Sequence, residues 1–417
     1  MRLVIVTTGS RGDVQPFVAL GQGFQRAGHR VFLATHAPFE SFVRAHGLDF
    51  SPIAGDPREL LSTPEGKAFL EARDPFTFLT RFTGLVRDLE PRMHANVIRA
   101  VSGAEAVIFS TLSFFAYHVA LSQGIPAIAA HLQPTAPTGS FPHPIFPQRP
   151  RLGPFLNRLT YKLTESLALG VFGGGTRRLR RQLGLPARLD GSAMRSRGPA
   201  LYGFSPQVVP RPTDWDDSQQ VTGYWFLDQV ATWEPPTELE AFLAAGPPPV
   251  CIGFGSMGSR DPAEATATVL EALTLSGQRG VLIGGWGGFA DRDWPPGVLA
   301  LEEADHAWLF PRSAAVVCHG GAGTTAAALR AGVPCVVIPH GMDQPFWAHR
   351  VHELGVGPAG LPRGRLTAHG LARTLTAVAE DAAMHDRARV LGERIRAERG
   401  VEAAITFIER RLPVLRP

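Results

Sequence analysis

Val316-Val-Cys-His319-Gly-Gly-Ala-Gly-Thr324-Thr-Ala-Ala-Ala-Leu-Arg-Ala-Gly-Val-Pro334-Cys-Val-Val-Ile-Pro-His-Gly-Met-Asp343-Gln344 is the stretch whose reading decides the fold. The apolar run 314–318 reads as a buried parallel strand, residues 324–330 as a helix after a glycine-rich turn, and 335–338 as the next strand. That is one βαβ unit. Its helix start offers unbonded amides and a partial positive charge, and the small residues Gly320, Gly321, Ala322 and Gly323 let an anion approach the backbone closely. A phosphate is the natural occupant. His319 adds a donor at the strand end, and Asp343 and Gln344 follow the next strand at the edge where open α/β sheets bind ligands. Polar side chains there suit hydroxyls, so a sugar joined to a diphosphate satisfies all three features. The plainer alternative is a glycine turn that only packs a helix on a sheet.

At 417 residues the chain is comfortable for two α/β domains, and its 44% hydrophobic content suffices for buried cores. The formal charge is +4, and the basic residues are scattered and nearly all arginine, which argues against a nucleic-acid partner. Cys251, Cys318 and Cys335 all lie in strand-like runs without paired spacing, so neither disulfides nor a zinc site is expected, and a reducing cytoplasm fits. No signal peptide precedes the first strand and no apolar run reaches membrane-spanning length, so a soluble cytoplasmic protein is expected.

Outward from the deciding stretch, the N-terminal half alternates strand and helix: strands at 3–7, 31–35, 48–53, 106–110 and 126–130, with helices at 37–45 and 113–121. The first strand leads into Gly9-Ser-Arg-Gly12-Asp13, and Pro16 is expected near the first turn of a helix ending near Gly28. Asp13 then sits between strand tip and helix, as a reactive group or as the helix cap. Two stretches depart from the alternation: 69–93, with Phe76 and Phe82, and 133–172, with Gln133, Phe141 and Phe155. Each reads as helix faces on the core, as an apolar acceptor pocket, or as a lip allowing peripheral membrane contact. The proline-rich, acidic run from Ser205 is expected to link the domains, with Asp214-Trp215-Asp216 in a solvated loop rather than on a metal.

The second domain is expected to open with a strand at 249–252 and then Gly253-Phe-Gly-Ser256-Met-Gly258. Formally this is a dinucleotide fingerprint, but the following strand (280–283) ends in Gly284-Gly-Trp286 with no carboxylate for a ribose. A second phosphate cradle using Ser256 and Gly258 explains it better. The chain from Arg363 onward is expected to be helical, with 382–411 long enough to cross back onto the first domain.

Gly12-Asp-Val-Gln-Pro16, Val221-Thr-Gly-Tyr-Trp-Phe-Leu-Asp228, Gly253-Phe-Gly-Ser-Met, Trp308-Leu-Phe-Pro and His319-Gly-Gly-Ala-Gly-Thr-Thr together resemble family 1 glycosyltransferases of the GT-B fold. The likeness is to the sterol 3-beta-glucosyltransferase branch and its bacterial natural-product relatives, and it spans nearly the whole chain. It implies an α/β protein of two Rossmann-like domains with parallel sheets facing across a cleft: an acceptor domain at 1–210, a nucleotide-sugar domain at 211–398, and a helix at 399–417 returning to the first domain. By the same resemblance Asp13 is the catalytic base. Ser256, Gly258, Ala304, His306, His319, Gly321, Ala322, Gly323, Thr324, Asp343 and Gln344 bind the donor, and Gly12, Phe76, Phe82, Gln133 and Phe141 the acceptor. Plant relatives carry a ribose-gripping glutamate where this chain has Ala327, and a base-stacking tryptophan where it has Glu303, which leaves uridine and thymidine both open.

The resemblance implies a single in-line displacement with inversion, from UDP-glucose or its dTDP counterpart to a hydroxyl of a lipophilic acceptor. Asp13 would take the proton, while amides, a helix terminus and a histidine offset the diphosphate charge with no metal or other cofactor. The alternatives are a catalytically silent nucleotide-sugar-binding or auxiliary relative, a nicotinamide oxidoreductase, and a sugar epimerase.

Overall fold

The computed structural model describes residues 1–70, 75–148, 152–189, 198–227, 233–254, 262–285 and 293–415. The chain divides into two compact units, Met1–Asp228 with Glu398–Pro417, and Gln229–Ala397.

The first unit is built on an all-parallel sheet of β1 (Arg2–Val6), β2 (Arg30–His36), β3 (Asp49–Ile53), β4 (Ala106–Phe109), β5 (Ala127–His131), β6 (Ala200–Tyr202) and β7 (Gln219–Val221), in the order β3-β2-β1-β4-β5-β6-β7. Helices cover both faces of such a sheet, so its central strands are continuous apolar runs. Leu3, Val4, Ile5 and Val6 are fully buried, each stabilising the fold by about 1.5–3 kcal/mol. The run after Ser205 belongs to the first unit rather than linking the two, although Asp214, Asp216 and Asp217 are exposed. Trp215 is buried and stacks on Tyr202 with ring centroids 4.5 Å apart, and Asp214 accepts from Thr138 Oγ1 at 2.7 Å, Gly139 N at 2.8 Å and Arg158 at 2.7 Å. Together with β7, these contacts carry the first unit past residue 210, the expected boundary.

The chain returns to this unit through Glu398, whose Oε1 accepts from Ser205 Oγ at 2.5 Å, and then the helix Gly400–Leu415. Val401, Ile405, Ile408 and Leu412 form its buried stripe. That stripe meets the first helix (Arg11–Arg26) at Gly23, where an added Cβ would lie 2.4 Å from Val401 Cγ1.

The second unit has the parallel sheet β10-β9-β8-β11-β12, from β8 (Val250–Gly253), β9 (Gly280–Ile283), β10 (Val298–Leu301), β11 (Ala315–Cys318) and β12 (Cys335–Val337). Ile252, Leu282, Val317 and Val336 pack its core against Leu371 and Leu375 of the helix Ala368–Glu380. The C-terminal region is helical, as Ala368–Glu380, Ala382–Arg396 and Gly400–Leu415. Each sheet reverses its strand order once, between β1 and β4 in the first unit and between β8 and β11 in the second. Such a switch point leaves a crevice at the carboxyl ends of the strands.

Candidate active site

At the switch point of the first unit β1 ends in Thr7-Thr8, and the backbone turns at Gly9 with φ +130° into the first helix. That helix begins at Arg11, earlier than the Pro16 expected from sequence, because Ser10 and Asp13 form a reciprocal capping box. Asp13 Oδ2 accepts from Ser10 N at 2.8 Å and Ser10 Oγ at 3.0 Å, and its carbonyl accepts from Thr7 Oγ1 at 2.8 Å. Asp13 is therefore locked at the helix's third position, half-buried, rather than capping a helix at Pro16. Gly9 is required here: a Cβ on it would stand 2.4 Å from Asp13 Oδ2, in a backbone conformation that favours glycine. Pro16 has no N–H to give the carbonyl of Gly12, so the exposed Gly12 keeps a carbonyl without its helical partner.

Across the switch point, Ser110 and Ser113 follow β4, with Ser113 Oγ 3.1 Å from both Thr8 Oγ1 and Ser110 Oγ. Beyond them Thr111 Oγ1 and His131 Nδ1, at the end of β5, are 2.8 Å apart. These polar strand ends were missed in the sequence, where single serines and threonines next to apolar runs give no signal. Gln133 follows β5 and Phe141 lies in the next loop, both half-buried. Phe76 and Phe82 lie in the helix Pro75–Val86, with side chains outside the described residues. A separate cavity of about 820 Å³ opens beyond β2 and β3, lined by Pro52, Ile53, Asp56, Leu89, Arg92 and Asn96 among others; Gly12, Gln133 and Phe141 are not among its described lining residues.

In the second unit β11 delivers His319 and Gly320 to the crevice. Gly320 has φ +88°, and a Cβ there would lie 2.5 Å from Val337 Cγ1 and 3.3 Å from Gln344 Cβ, so only glycine lets this loop pack against the one after β12. The helix Ala322–Ala331 starts after Gly321 with no side-chain cap, leaving the amides of Ala322, Gly323 and Thr324 without acceptors inside the helix. His319 is buried, and its imidazole crosses Gly321, where an added Cβ would meet Nε2 at 2.4 Å. Burial, followed by the nearby His306, pulls its pKa down to about 4, and Nδ1 has no hydrogen-bond partner among the described residues. A neutral, buried, unsatisfied imidazole beside an uncapped helix start is a site prepared for a ligand that exchanges hydrogen bonds.

Asp343 and Gln344 are more constrained than expected. Gln344 is buried, and its Oε1 accepts from His340 N at 2.7 Å and Gly341 N at 3.1 Å, shaping the turn after β12. Asp343 Oδ2 accepts from Trp347 Nε1 at 2.7 Å. Between them and His340, Met342 is held at φ 58°, the one positive-φ residue other than glycine among the described residues; such strain costs about 1–2 kcal/mol and gathers at functional loops. His340 is a further candidate that the sequence reading missed. Burial, then Arg363 and His319, lowers its pKa to about 3, and its Nδ1 is also without a partner among the described residues. Its signal was its place one residue before the Gly341–Gln344 turn. His306 stacks on Phe310 with centroids 4.3 Å apart in the short helix His306–Leu309, which follows Ala304 and is capped by Asp305. Ser256 and Gly258 lie outside the described residues. Among the described residues, no three His, Cys, Asp or Glu side chains converge as metal ligands.

Residues 3–142 match the glycosyltransferase family 28 N-terminal domain, and residues 292–404 the erythromycin biosynthesis protein CIII-like C-terminal domain. The chain is 37% identical over 426 residues to the sterol 3-beta-glucosyltransferase UGT80A2 of Arabidopsis thaliana, covering 99% of this chain and 66% of that protein. It is also 37% identical over 438 residues to a sterol 3-beta-glucosyltransferase of Cryptococcus neoformans, again over 99% of this chain but 27% of the relative. The chain thus spans between about a quarter and two thirds of the length of these relatives. Among solved structures, the glycotransferase of kitacinnamycin superposes over 99% of both chains with a TM-score of 0.74 at 22% identity. Two doubly wound parallel-sheet units, the match to a glycosyltransferase family 28 N-terminal domain and the full-length likeness to sterol 3-beta-glucosyltransferases lead to one assignment: the chain belongs to the glycosyltransferases of the GT-B fold.

Proposed function

We propose that the protein transfers a hexose, glucose from UDP-glucose in the first instance, to a hydroxyl of a lipophilic acceptor of the sterol, terpenoid or polyketide class. The observation that carries this reading is the second unit's crevice, where an uncapped helix start, a neutral buried imidazole and the strained Gly341–Gln344 turn converge. The names of the 37%-identical relatives favour a sterol.

The nucleoside diphosphate would lie on the amides of Ala322 to Thr324, with His319 donating from one ring nitrogen and Asp343 holding sugar hydroxyls. In the first unit, Asp13 would accept the acceptor's hydroxyl proton while that oxygen bonds the anomeric carbon. The bond to the diphosphate breaks in the same step, inverting the centre. Charge developing on the leaving diphosphate is met by groups already oriented towards it, so transfer needs no metal. The test is mass spectrometry of products from UDP- and dTDP-sugars with a sterol and polyketide panel, run in excess chelator. A gain of one hexose is expected with chelator present. Loss of product restored only by magnesium or manganese would contradict the metal-free step, and no product from any pair would favour a silent nucleotide-sugar-binding relative.

Gly9→Ala tests the placement of Asp13. The new Cβ must displace the carboxylate, and a shift of about 1 Å costs on the order of 10²-fold in rate. Turnover should fall by roughly that factor, with the melting temperature lowered by the strain at φ +130°. A variant that melts earlier at full turnover would show that Asp13's position does not set the rate.

A further inference from the structure

The carboxyl ends of β1, β4 and β5 carry a continuous run of polar side chains. Thr7 Oγ1 donates to the carbonyl of Asp13 at 2.8 Å, and the neighbouring Thr8 Oγ1 lies 3.1 Å from Ser113 Oγ. Ser110 Oγ donates to Ser113 Oγ at 3.1 Å, and Thr111 Oγ1 lies 2.8 Å from His131 Nδ1. The middle of the run is closed, since Thr8, Ser110 and Ser113 are buried against one another. Its two ends are not. Asp13 at one end, and Thr111 with His131 at the other, keep part of their surface. In the sheet order β5 stands two strands from β1, about 10 Å away. A ligand lying along this edge, outside the strand ends, meets a polar group at each end.

His131 brings a donor to its end of the run. Its ring packs against Tyr202 with centroids 5.5 Å apart and turns Nδ1 to Thr111, while Nε2 makes no hydrogen bond among the described residues. Burial lowers its pKa to about 4, so at working pH the imidazole is neutral and carries one ring proton. Thr111 Oγ1 has no other acceptor among the described residues. Its hydroxyl therefore donates to Nδ1, and the ring proton sits on Nε2, the arrangement that leaves neither group of the pair unsatisfied.

We propose that His131 donates from Nε2 to a second oxygen of the acceptor, so that the preferred acceptor is an apolar molecule with a hydroxyl at Asp13 and a keto or hydroxyl oxygen at the far end. Thr111 is the positioning residue, because its hydroxyl decides which ring nitrogen keeps the proton. This rests on the transfer proposed above and narrows its acceptor class. An acceptor with a single hydroxyl would cover Nε2–H without pairing it.

Dehydroepiandrosterone, which has a hydroxyl at one end and a ketone at the other, and the same steroid without the ketone form the test pair. The ketone cannot be glycosylated, so each steroid offers one reacting hydroxyl. The parent should favour the ketosteroid by about tenfold, the effect of one paired against one unpaired donor, and the difference should appear in KM rather than kcat. His131→Ala should bring the ratio to about one. Thr111→Val, which keeps the imidazole and removes its partner, should lower the ratio at least about threefold, and Thr111→Ser should restore it. Equilibrium dialysis of the two steroids without nucleotide sugar reads the same ratio, so absence of transfer would sink the transferase reading and leave this test standing. No preference in the parent, or a preference that survives His131→Ala, would overturn the proposal. So would a ratio unchanged in Thr111→Val, the variant to read if His131→Ala does not fold.

Discussion

Asp13→Asn should lower turnover by about 10²- to 10⁴-fold, the range for removing a general base, while leaving nucleoside diphosphate affinity unchanged. This substitution separates two roles that Asp13 holds at once. As third residue of the first helix it receives Ser10 N and Ser10 Oγ on Oδ2, and an asparagine carbonyl oxygen can accept both of these bonds. What asparagine lacks is the ability to take a proton. A purely structural Asp13 would therefore give near-parent turnover in Asp13→Asn and a loss only in Asp13→Ala, which removes the cap as well. Single-turnover rates and melting temperatures of the two variants decide between them.

His319→Ala should weaken nucleoside diphosphate binding by about 1.5–3 kcal/mol, the range for losing a hydrogen bond to a charged group, or roughly 10- to 150-fold in Kd. With its pKa drawn down to about 4, the imidazole is neutral at working pH, so it contributes a donor rather than a charge. The sign follows. Between about pH 6 and 8 its protonation state does not change, and the His319 share of the affinity should be flat across that range. Calorimetry on parent and variant at several pH values measures this. A change below about threefold would mean that the unpartnered Nδ1 does not report a ligand contact. Acceptor preference should stay as in the parent, since the acceptor candidates belong to the first unit.

The central strands were legible in the sequence because a parallel strand covered on both faces must be apolar throughout, and 3–6, 106–109 and 315–318 leave no other reading. β6, β7 and β10 were not read. β7 contains Gln219-Gln220, whose polarity suits a sheet edge and imitates a linker. The acidic run at 214–217 misled for a related reason. Composition shows that Asp214 is charged but not that Thr138, Gly139 and Arg158 await it 56 to 76 residues away. Among the candidate site residues, His319 and the glycine loop stand out in the sequence because an anion cradle has a local pattern in the chain. Thr111 and His131 do not, because they are brought together by sheet order rather than by a local pattern. The Ser10–Asp13 capping box is a local signal that the proline at position 16 obscured.

The anomeric configuration of the product tests the central claim most directly. UDP-glucose carries an α-linked sugar, and a single displacement with Asp13 as base predicts a β-glucoside, which proton NMR of the isolated sterol or polyketide product distinguishes from its anomer. An α-glucoside, which requires two displacements or a front-side attack, would contradict the account.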